Sequence, residues 1–370
     1  MKTKLIRMSA IAVAMLSILL SCKKGVDVNS AAGTETQTSR KNSASVLACS
    51  AQGWASRNGG TWGGGDVTPT VVTSYSALKS AILNTSVKVI QVNGTIAIPS
   101  GGGISFQDQT NKTIFGSRGA KLVSTDQTAS GSGILYMKRL TNVIIKNLIF
   151  EGPGAYDVDG KDNLTIDACK NIWVDHCEFR DGVDGNLDIK NTSDFITVSW
   201  TKFTYLKAPR PDGPGGSDDH RFSNLIGSGD DAIADRGKLQ ITFSKCWWAP
   251  GCKARMPRVR FGKVHIVNSY FNSTASSYCV QAGFEANLLV ESNVFENVKN
   301  PIDRMDNRST AVQVRNNIFT NVSGNTAGNG VNAFIPPYSI SILSASSVKS
   351  AVTSSTGAGA TLSGNTCNGI

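Results

Sequence analysis

A repeat of about 24 residues is the feature that most constrains the fold of this chain. Seven octets share one pattern, in which alternating apolar residues are followed by polar positions and a closing aromatic ring. The octets are VIIKNLIF (143–150), IWVDHCEF (172–179), ITVSWTKF (196–203), ITFSKCWW (241–248), VHIVNSYF (264–271), LLVESNVF (288–295) and VQVRNNIF (312–319). Their closing rings are separated by 29, 24, 45, 23, 24 and 24 residues. A β-rich repeat of this length without a helical segment is typical of a solenoid.

The repeat predicts an all-β fold, a right-handed parallel β-helix with about 24 residues per coil. Each coil would carry short strands joined by bends, and each strand would pair in parallel with its equivalent in the next coil. The 37 glycines, with many Asn, Ser and Thr residues, favour turns and strands over long helices. An antiparallel sandwich is the alternative. Its strands would recur roughly every 8–12 residues and would not repeat one octet seven times, so the β-helix is favoured.

Two segments depart from the repeat. SYSALKSAILN (74–84) predicts a short N-terminal helix that caps the open end of the solenoid. The separation of 45 residues corresponds to one coil plus an insertion of about twenty residues. This insertion contains APRPDGPGGSDDHRFSN (208–224), whose proline, glycine and charge predict a long loop. Insertions in solenoids map to loops on one face, which is often the binding face.

The N-terminus predicts export. MKTKLIR supplies positive charge, MSAIAVAMLSILL supplies an apolar run, and Cys22 follows at its end, so residues 1–22 resemble a lipoprotein-type signal peptide. Cys22 would then be the lipidated first residue of the mature protein; an ordinary signal peptide with an incidental cysteine is the alternative. Residues 23–45 contain almost nothing to bury and are predicted to be a flexible tether. Residues 46–370 are predicted to form one β-helix domain. We expect the protein to be anchored to the bacterial outer membrane or secreted.

The charge indicates an anionic partner. The formal net charge is +10, and +7 remains if Lys2, Lys4 and Arg7 leave with the signal peptide. Such a surplus suits nucleic acid, an anionic membrane or an acidic polymer, and export argues against nucleic acid.

The cysteines leave the disulfide pattern open. Eight are present, and seven remain beside Cys22 in a compartment where disulfides persist. Cys246 and Cys252 are near enough in sequence to form a bridge, as are Cys169 and Cys177, but spacing alone does not decide the connectivity.

Linked motifs carry a resemblance to a known family. NIWVDHCEFRDGVDGNLDIKNTSDFITVSWTKF (171–203) resembles the pectate lyase pattern of WVDH, an acidic pair ending in DI, and then ITVSW. RMPRVRFGKVHIVNSYF (255–271) resembles the R-x-P-x-x-R segment that follows in that family. The similarity extends loosely from Trp54 to Asn300, and the family fold is the parallel β-helix. The resemblance implies a calcium-dependent pectate lyase that cleaves (1,4)-α-D-galacturonan by β-elimination and leaves 4,5-unsaturated oligogalacturonides.

The resemblance also implies a calcium site. Asp184 and Asp188 match the family's acidic pair, and Asp162 lies where the family carries another calcium ligand; whether Asp159 also takes part stays open. Hard cations such as Ca²⁺ prefer oxygen ligands. A bound cation would act as a Lewis acid on the uronate carboxylate, which makes the proton at C5 removable.

Three basic residues complete the implied site. Arg255 matches the first arginine of R-x-P-x-x-R and is expected to remove the C5 proton, while Arg260 and Lys207 are expected to bind substrate. A guanidinium is a weak base at neutral pH, because its pKa in solution is above about 12. We therefore expect an activity optimum well above neutral pH. Arg258, to which the family assigns no role, is interpreted as a solvated charge.

Two other functions stay open. A pectin lyase would act on methyl-esterified pectin without calcium, and the three aspartates argue against it. A non-catalytic pectin-binding β-helix protein would bind the polymer without cleaving it. The expected partners are polygalacturonate or pectin and a membrane reached through the lipid at Cys22; we expect no nucleic acid and a monomeric protein.

Overall fold

The computed structural model describes residues 50–305 and 309–364. The predicted signal peptide, the predicted tether and Cys22 lie outside the described residues. Within them, the chain visits three parallel β-sheets in turn, and equivalent strands of successive coils are hydrogen-bonded neighbours. No helix in this part of the chain is long and apolar enough to span a bilayer.

The three sheets are named A, B and C, and their strands are counted over the described residues. Sheet A has ten strands: Thr70–Val72, Val89–Val92, Thr110–Gly116, Thr141–Lys146, Lys170–Asp175, Asp194–Ser199, Ile241–Ser244, Lys263–Val267, Asn287–Glu291 and Ala311–Arg315. Sheet B has nine: Thr95–Ile98, Lys121–Ser124, Ile149–Glu151, Glu178–Arg180, Lys202–Thr204, Trp247–Trp248, Tyr270–Phe271, Val294–Glu296 and Ile318–Thr320. Sheet C has eight: Ile104–Gln107, Leu135–Lys138, Leu164–Asp167, Leu187–Lys190, Leu225–Ile226, Arg258–Val259, Val280–Ala282 and Ile302–Arg304.

The closing rings of the octets form a continuous stack inside the solenoid. Each ring lies on a strand of sheet B, in register with the ring of the next coil. Successive ring centroids are 4.7, 5.7, 5.5, 4.5, 4.3 and 5.2 Å apart along Phe150, Phe179, Phe203, Trp248, Phe271, Phe295 and Phe319. Parallel pairing places identical positions above one another, so one ring per coil produces both the repeat and a stacked core.

Polar residues make the bend between sheets A and B. Asn147, His176 and Asn268 have φ values of 50°, 47° and 52°, in the left-handed region that Asn tolerates best among residues with a Cβ. The side chain of Asn268 also donates to Ser292 O at 3.1 Å. The amide therefore satisfies a backbone group at the turn and ties one coil to the next.

A short helix covers the first coil, as the sequence predicts. It spans Tyr75–Leu83, and the Ser74 side chain accepts a hydrogen bond from Ala77 N at its start. At its other end the buried Lys112 donates to Ile82 O at 2.7 Å, which satisfies a carbonyl of the last turn. Burial lowers the pKa of Lys112 to about 8. The other helical segments of the described residues are the 3₁₀ turns Gly53–Ser56 and Ile233–Asp235 and the helix Ala345–Val352.

The extra residues in the long separation are divided between two loops rather than placed in one insertion. Residues 205–224 connect sheet B to sheet C, and residues 227–240 connect sheet C back to sheet A. Loop 208–224 is fastened to the neighbouring coil by Asp157, whose backbone carbonyl accepts from Gly215 N at 3.0 Å and whose Oδ2 accepts from Ser217 N at 2.7 Å. The loop is therefore an ordered part of the surface beside sheet C.

The cysteines within the described residues are unbonded. Cys169, Cys177, Cys246, Cys252 and Cys279 are all buried and free, so neither of the bridges considered from sequence spacing forms. Burial raises the pKa of the first four thiols to about 12. These thiols behave as small apolar core residues with little thiolate character.

Candidate active site

A cavity of about 530 Å³ lies on the outward face of sheet C. Ser105, Tyr136, Thr165 and Asp188 line it, and they stand in one register across four neighbouring strands. Residues on alternate positions of these strands are buried in the core, because successive side chains of a strand point to opposite faces. The register of the solenoid thus presents a row of side chains to the cavity.

The cavity brings together the three predicted calcium ligands, Asp162, Asp184 and Asp188. Thr165 Oγ1 donates to Asp162 Oδ2 at 2.7 Å, and Leu225 N donates to Asp188 Oδ1 at 2.9 Å. The other oxygen of Asp162, Oδ1, is buried and has no hydrogen-bond partner within the described residues. Buried polar atoms are nearly always paired, so this oxygen indicates a site for a ligand.

Burial and mutual repulsion make this cluster electrostatically unfavourable. Burial, and then the charge of Asp184, raise the pKa of Asp162 to about 6. Burial, and then the charges of Asp162 and Asp184, raise the pKa of Asp188 well above its usual value. Like charges so close together favour protonation or the binding of a cation.

The donor chemistry of the cavity suits a hard cation such as Ca²⁺. A Cβ at Gly185 would lie 2.7 Å from Asp162 Oδ1 and 3.2 Å from Asp188 Oδ1, so the glycine leaves a space that both carboxylates border. The third carboxylate, that of Asp184, accepts a hydrogen bond through Oδ1 from His220 Nε2 at 2.8 Å. In residues 50–305 and 309–364, no three His, Cys, Asp or Glu side chains are already grouped closely enough to hold an ion. The oxygens are thus of the right kind, and two of the three carboxylates border one space.

Arg255 lies beside the acidic cavity. It has a φ of 56°, in the turn that precedes the strand Arg258–Val259, and its guanidinium lies 4.4 Å from the centroid of the Phe222 ring. The charge of Arg255 acts to lower the pKa of both Asp162 and Asp188, so the guanidinium lies near enough to interact with both carboxylates. In the part of the chain that the structure describes, its Nε is buried without a hydrogen-bond partner. An aromatic ring, rather than a carboxylate, thus supports this guanidinium.

Arg260 lies at the edge of the same cavity. Its Nε is 2.7 Å from Asp230 Oδ1, and its NH1 donates to Gly227 O at 3.1 Å. Gly227 lines the cavity and has a φ of 81°. A Cβ at Gly227 would approach the Cβ of Arg260 to 3.0 Å, so the close packing of the arginine favours glycine there.

Lys207 lies outside the cavity lining. Its Nζ donates to Gly152 O at 2.7 Å and is 3.8 Å from Glu151 Oε1, while 42% of its side chain is exposed. The backbone N–H of Lys207 donates to Asp181 Oδ1 at 3.0 Å. The structure therefore places the Lys207 amine at the end of the sheet-B strand Ile149–Glu151 and does not bring it together with the three aspartates.

Three further residues belong to this region although the sequence analysis gave them no role in it. Lys190 lines the cavity two positions after Asp188, and strand parity alone would have placed both on one face. His220 contacts Asp184 from loop 208–224, and no spacing signal links them. Arg258 was interpreted as a solvated charge, but it is half-buried, and burial together with the charge of Arg260 lowers its pKa.

Comparison with known proteins agrees with this architecture. The family model described as pectate lyase matches residues 10–361. The pectate trisaccharide-lyase of Bacillus licheniformis is 35% identical over 325 residues, covering 84% of this chain and 86% of that relative. Pectate lyase A of Aspergillus niger is 32% identical over 337 residues, covering 88% of this chain and 93% of that relative.

Solved structures show the same fold. A Bacillus subtilis pectate lyase variant aligns with a TM-score of 0.66 at 24% identity, over 85% of this chain and 98% of its own. The pectate lyase of Paenibacillus sp. 0602 aligns with a TM-score of 0.68 at 20% identity, over 85% and 96%. The prediction of a right-handed parallel β-helix is confirmed.

The enzyme class follows from the family match and the curated relatives taken together. The protein is a polysaccharide lyase built on a parallel β-helix. Within that class, the chain belongs to the pectate lyase family.

Proposed function

We propose that this enzyme cleaves polygalacturonate by Ca²⁺-dependent β-elimination and leaves 4,5-unsaturated oligogalacturonides. The observation that carries the proposal is the meeting of Asp162, Asp184 and Asp188 in one cavity beside Arg255. The relatives add support, because one solved structure of this fold is described as a pectate lyase bound to a hexasaccharide.

In this proposal the three aspartates would hold the cation. When bound, Ca²⁺ supplies Lewis-acid neutralisation of the uronate carboxylate. The cavity walls bury Asp162 and Asp188, so their carboxylates act in a medium where charge–charge interactions are stronger than in water. The unpaired Asp162 Oδ1 and the free space at Gly185 are the features that support a cation here.

Arg255 is the proposed base. In its neutral guanidine form, the side chain takes the proton from C5 and becomes guanidinium. The electrons of the broken C–H bond form the C4–C5 double bond, and the glycosidic oxygen leaves C4 with its bonding electrons and takes a proton from water. Phe222 holds the guanidinium beside the carboxylates, which fixes its position before substrate arrives. The step requires neutral guanidine, so the pH optimum of the activity is expected to lie well above neutral.

Arg260 and Lys207 are the proposed substrate-binding residues. Arg260 is anchored to Asp230 at the edge of the cavity, where a fixed guanidinium can pair with a uronate carboxylate. Lys207 is nearly half-exposed and lies beyond the cavity lining, so we assign it to a sugar residue further along the polymer.

The test is a continuous ultraviolet assay for the unsaturated product, run on polygalacturonate and on highly methyl-esterified pectin. We expect absorbance to rise on polygalacturonate with calcium, to stop with EDTA and to recover when calcium is restored. Equal activity with EDTA, greatest on esterified pectin, would identify a pectin lyase. Binding without any absorbance change would identify a non-catalytic pectin-binding protein.

For localisation and assembly, we propose a monomer anchored to the outer membrane through a lipid on Cys22, with release as a secreted protein as the alternative. The apolar run that ends at Cys22 supports this proposal. Expression in a bacterial host should place the wild type in the membrane fraction and Cys22→Ser in the soluble fraction. Membrane association of Cys22→Ser would contradict the anchor, and light scattering of the soluble variant at the mass of a dimer would contradict the monomer.

A further inference from the structure

Each of the three cavity aspartates has one oxygen held by a hydrogen-bond donor. Asp162 is held by Thr165, and Asp188 is held by the backbone N–H of Leu225, at 2.7 and 2.9 Å. Asp184 is held by His220, whose Nε2 lies 2.8 Å from Oδ1. An ionised carboxylate can only accept, so His220 Nε2 carries a proton and donates it.

His220 differs from the other two donors because it comes from loop 208–224. Thr165 and Leu225 lie on strands of sheet C, whose position is fixed by the solenoid ladder. His220 lies 36 residues beyond Asp184, and only 8% of its side chain is exposed. The contact therefore links the long loop directly to the cation site.

The loop holds the His220 ring firmly. The ring centroid is 4.2 Å from that of Phe222, and Nδ1 lies 3.3 Å from Asp157 Oδ1 without forming a hydrogen bond within the described residues. Asp157 also anchors the loop backbone at Gly215 and Ser217. A Cβ at Gly215 would lie 2.0 Å from Asp157 Oδ1, so this close approach requires glycine. The imidazole is thus packed against Phe222, on a loop whose backbone Asp157 anchors.

The carboxylate of Asp184 has fewer supports than its neighbours. Its side chain is 31% exposed, and His220 is its hydrogen-bond partner among residues 50–305 and 309–364. Without that donor, the carboxylate could rotate toward solvent at little energetic expense. A group that donates a hydrogen bond to a metal-ligating side chain fixes the orientation of that side chain toward the metal. Loss of such a donor typically weakens metal affinity about 10- to 100-fold.

We propose that His220 is a positioning residue, which holds the Asp184 carboxylate at the cavity so that cation affinity depends on loop 208–224. The inference rests on the proposed function, because it assumes that the cavity takes Ca²⁺. The loop thereby contributes to the cation site without supplying a ligand of its own.

The test compares two nearly isosteric variants by isothermal titration with calcium, at mildly alkaline pH and without substrate. The amide nitrogen of glutamine reaches about as far as Nε2 of histidine, whereas that of asparagine reaches only as far as Nδ1. We expect His220→Asn to weaken calcium binding by about 10- to 100-fold. His220→Gln should stay within a few-fold of the wild type, since it keeps a donor to Asp184.

Arg221→Ala is the matched control. Arg221 lies on the same loop and pairs with Asp219, so its loss perturbs the loop without touching the cavity, and calcium affinity should be unchanged. Wild-type affinity in His220→Asn, or equal loss in His220→Gln and His220→Asn, would overturn the role of His220. Absence of calcium binding by the wild-type protein would instead overturn the cation in the proposed function, and the positioning role with it.

Discussion

Replacing Asp162 with asparagine should stabilise the cation-free protein. The pKa of Asp162 is raised from 3.8 to about 6, mainly by burial and then by the charge of Asp184. A shift of about 2 units at ~1.36 kcal/mol per unit means that the ionised carboxylate destabilises the native state by about 3 kcal/mol. Asparagine keeps an acceptor for Thr165 and removes the charge. An unpaired amide N–H offsets part of this gain at about 1–2 kcal/mol, so the net gain is about 1–2 kcal/mol.

The sign of the pH dependence follows from the raised pKa. Well below pH 3.8, Asp162 is protonated in both the folded and the unfolded chain, and near pH 4 its ionisation still has little effect on stability. Between about pH 4 and pH 6 the unfolded chain loses this proton first, so the free energy of unfolding of the wild type falls as pH rises. Asp162→Asn lacks this loss, and its advantage should therefore be present at about pH 8 and absent at about pH 4.

The assay is urea unfolding in EDTA at these two pH values, followed by tryptophan fluorescence. Asp159→Asn is the control, because Asp159 also lines the cavity but is exposed, and its φ of 52° is one that asparagine tolerates. Adding calcium should reverse the order, since a ligand at 100 times its Kd stabilises the wild type by about 2.7 kcal/mol. The reasoning is refuted if Asp162→Asn is no more stable than the wild type at about pH 8 in EDTA, or equally favoured at both pH values.

Three other predictions follow from the fold and the cavity. Phe179→Ala removes a fully buried ring of the core stack and should lower the free energy of unfolding by about 3–5 kcal/mol. Trp62→Ala, at an exposed position, should change it little. A loss below about 1 kcal/mol for Phe179→Ala would contradict the stack. The calcium concentration that gives half-maximal activity should fall as pH rises from about 5 to 8, because Asp162 must ionise to bind the ion; a constant value would count against the aspartate site. Lys190→Ala should raise KM for polygalacturonate by about tenfold with a smaller change in kcat. Lys138→Ala should not, because Lys138 stands in the same register two strands away, outside the cavity lining. Equal effects would place Lys190 outside the subsites.

The sequence predicts the coil because one ring per coil has a direct physical consequence. Parallel in-register pairing stacks Phe179 on Phe150 and Phe203, so the spacing of the rings is the length of the coil. Loops lack such a constraint. The division of the extra residues between 205–224 and 227–240 depends on where the chain rejoins sheet C, and the composition of the segment does not show that point.

The site is predictable where motif and strand geometry coincide. Asp188 stands on a strand of sheet C and Asp162 and Asp184 on the turns before such strands, so stacking of coils brings the three together. The contact between His220 and Asp184 depends on the path of a loop, which no periodicity specifies. The burial of Arg258 depends on the side chains of adjacent coils, and the alternation of side chains along its own strand does not show which residues those are.

The most direct test of the account is the turnover of Arg255→Lys on polygalacturonate at saturating calcium. Lysine keeps a positive charge but loses the planar group that stacks on Phe222, and it is not equivalent to arginine at a stacked site. We predict that kcat falls by at least about 100-fold, as expected for loss of a positioned base, while calcium and oligogalacturonate still bind. A kcat equal to that of the wild type would contradict the assignment of Arg255 as the base, and with it the proposed mechanism.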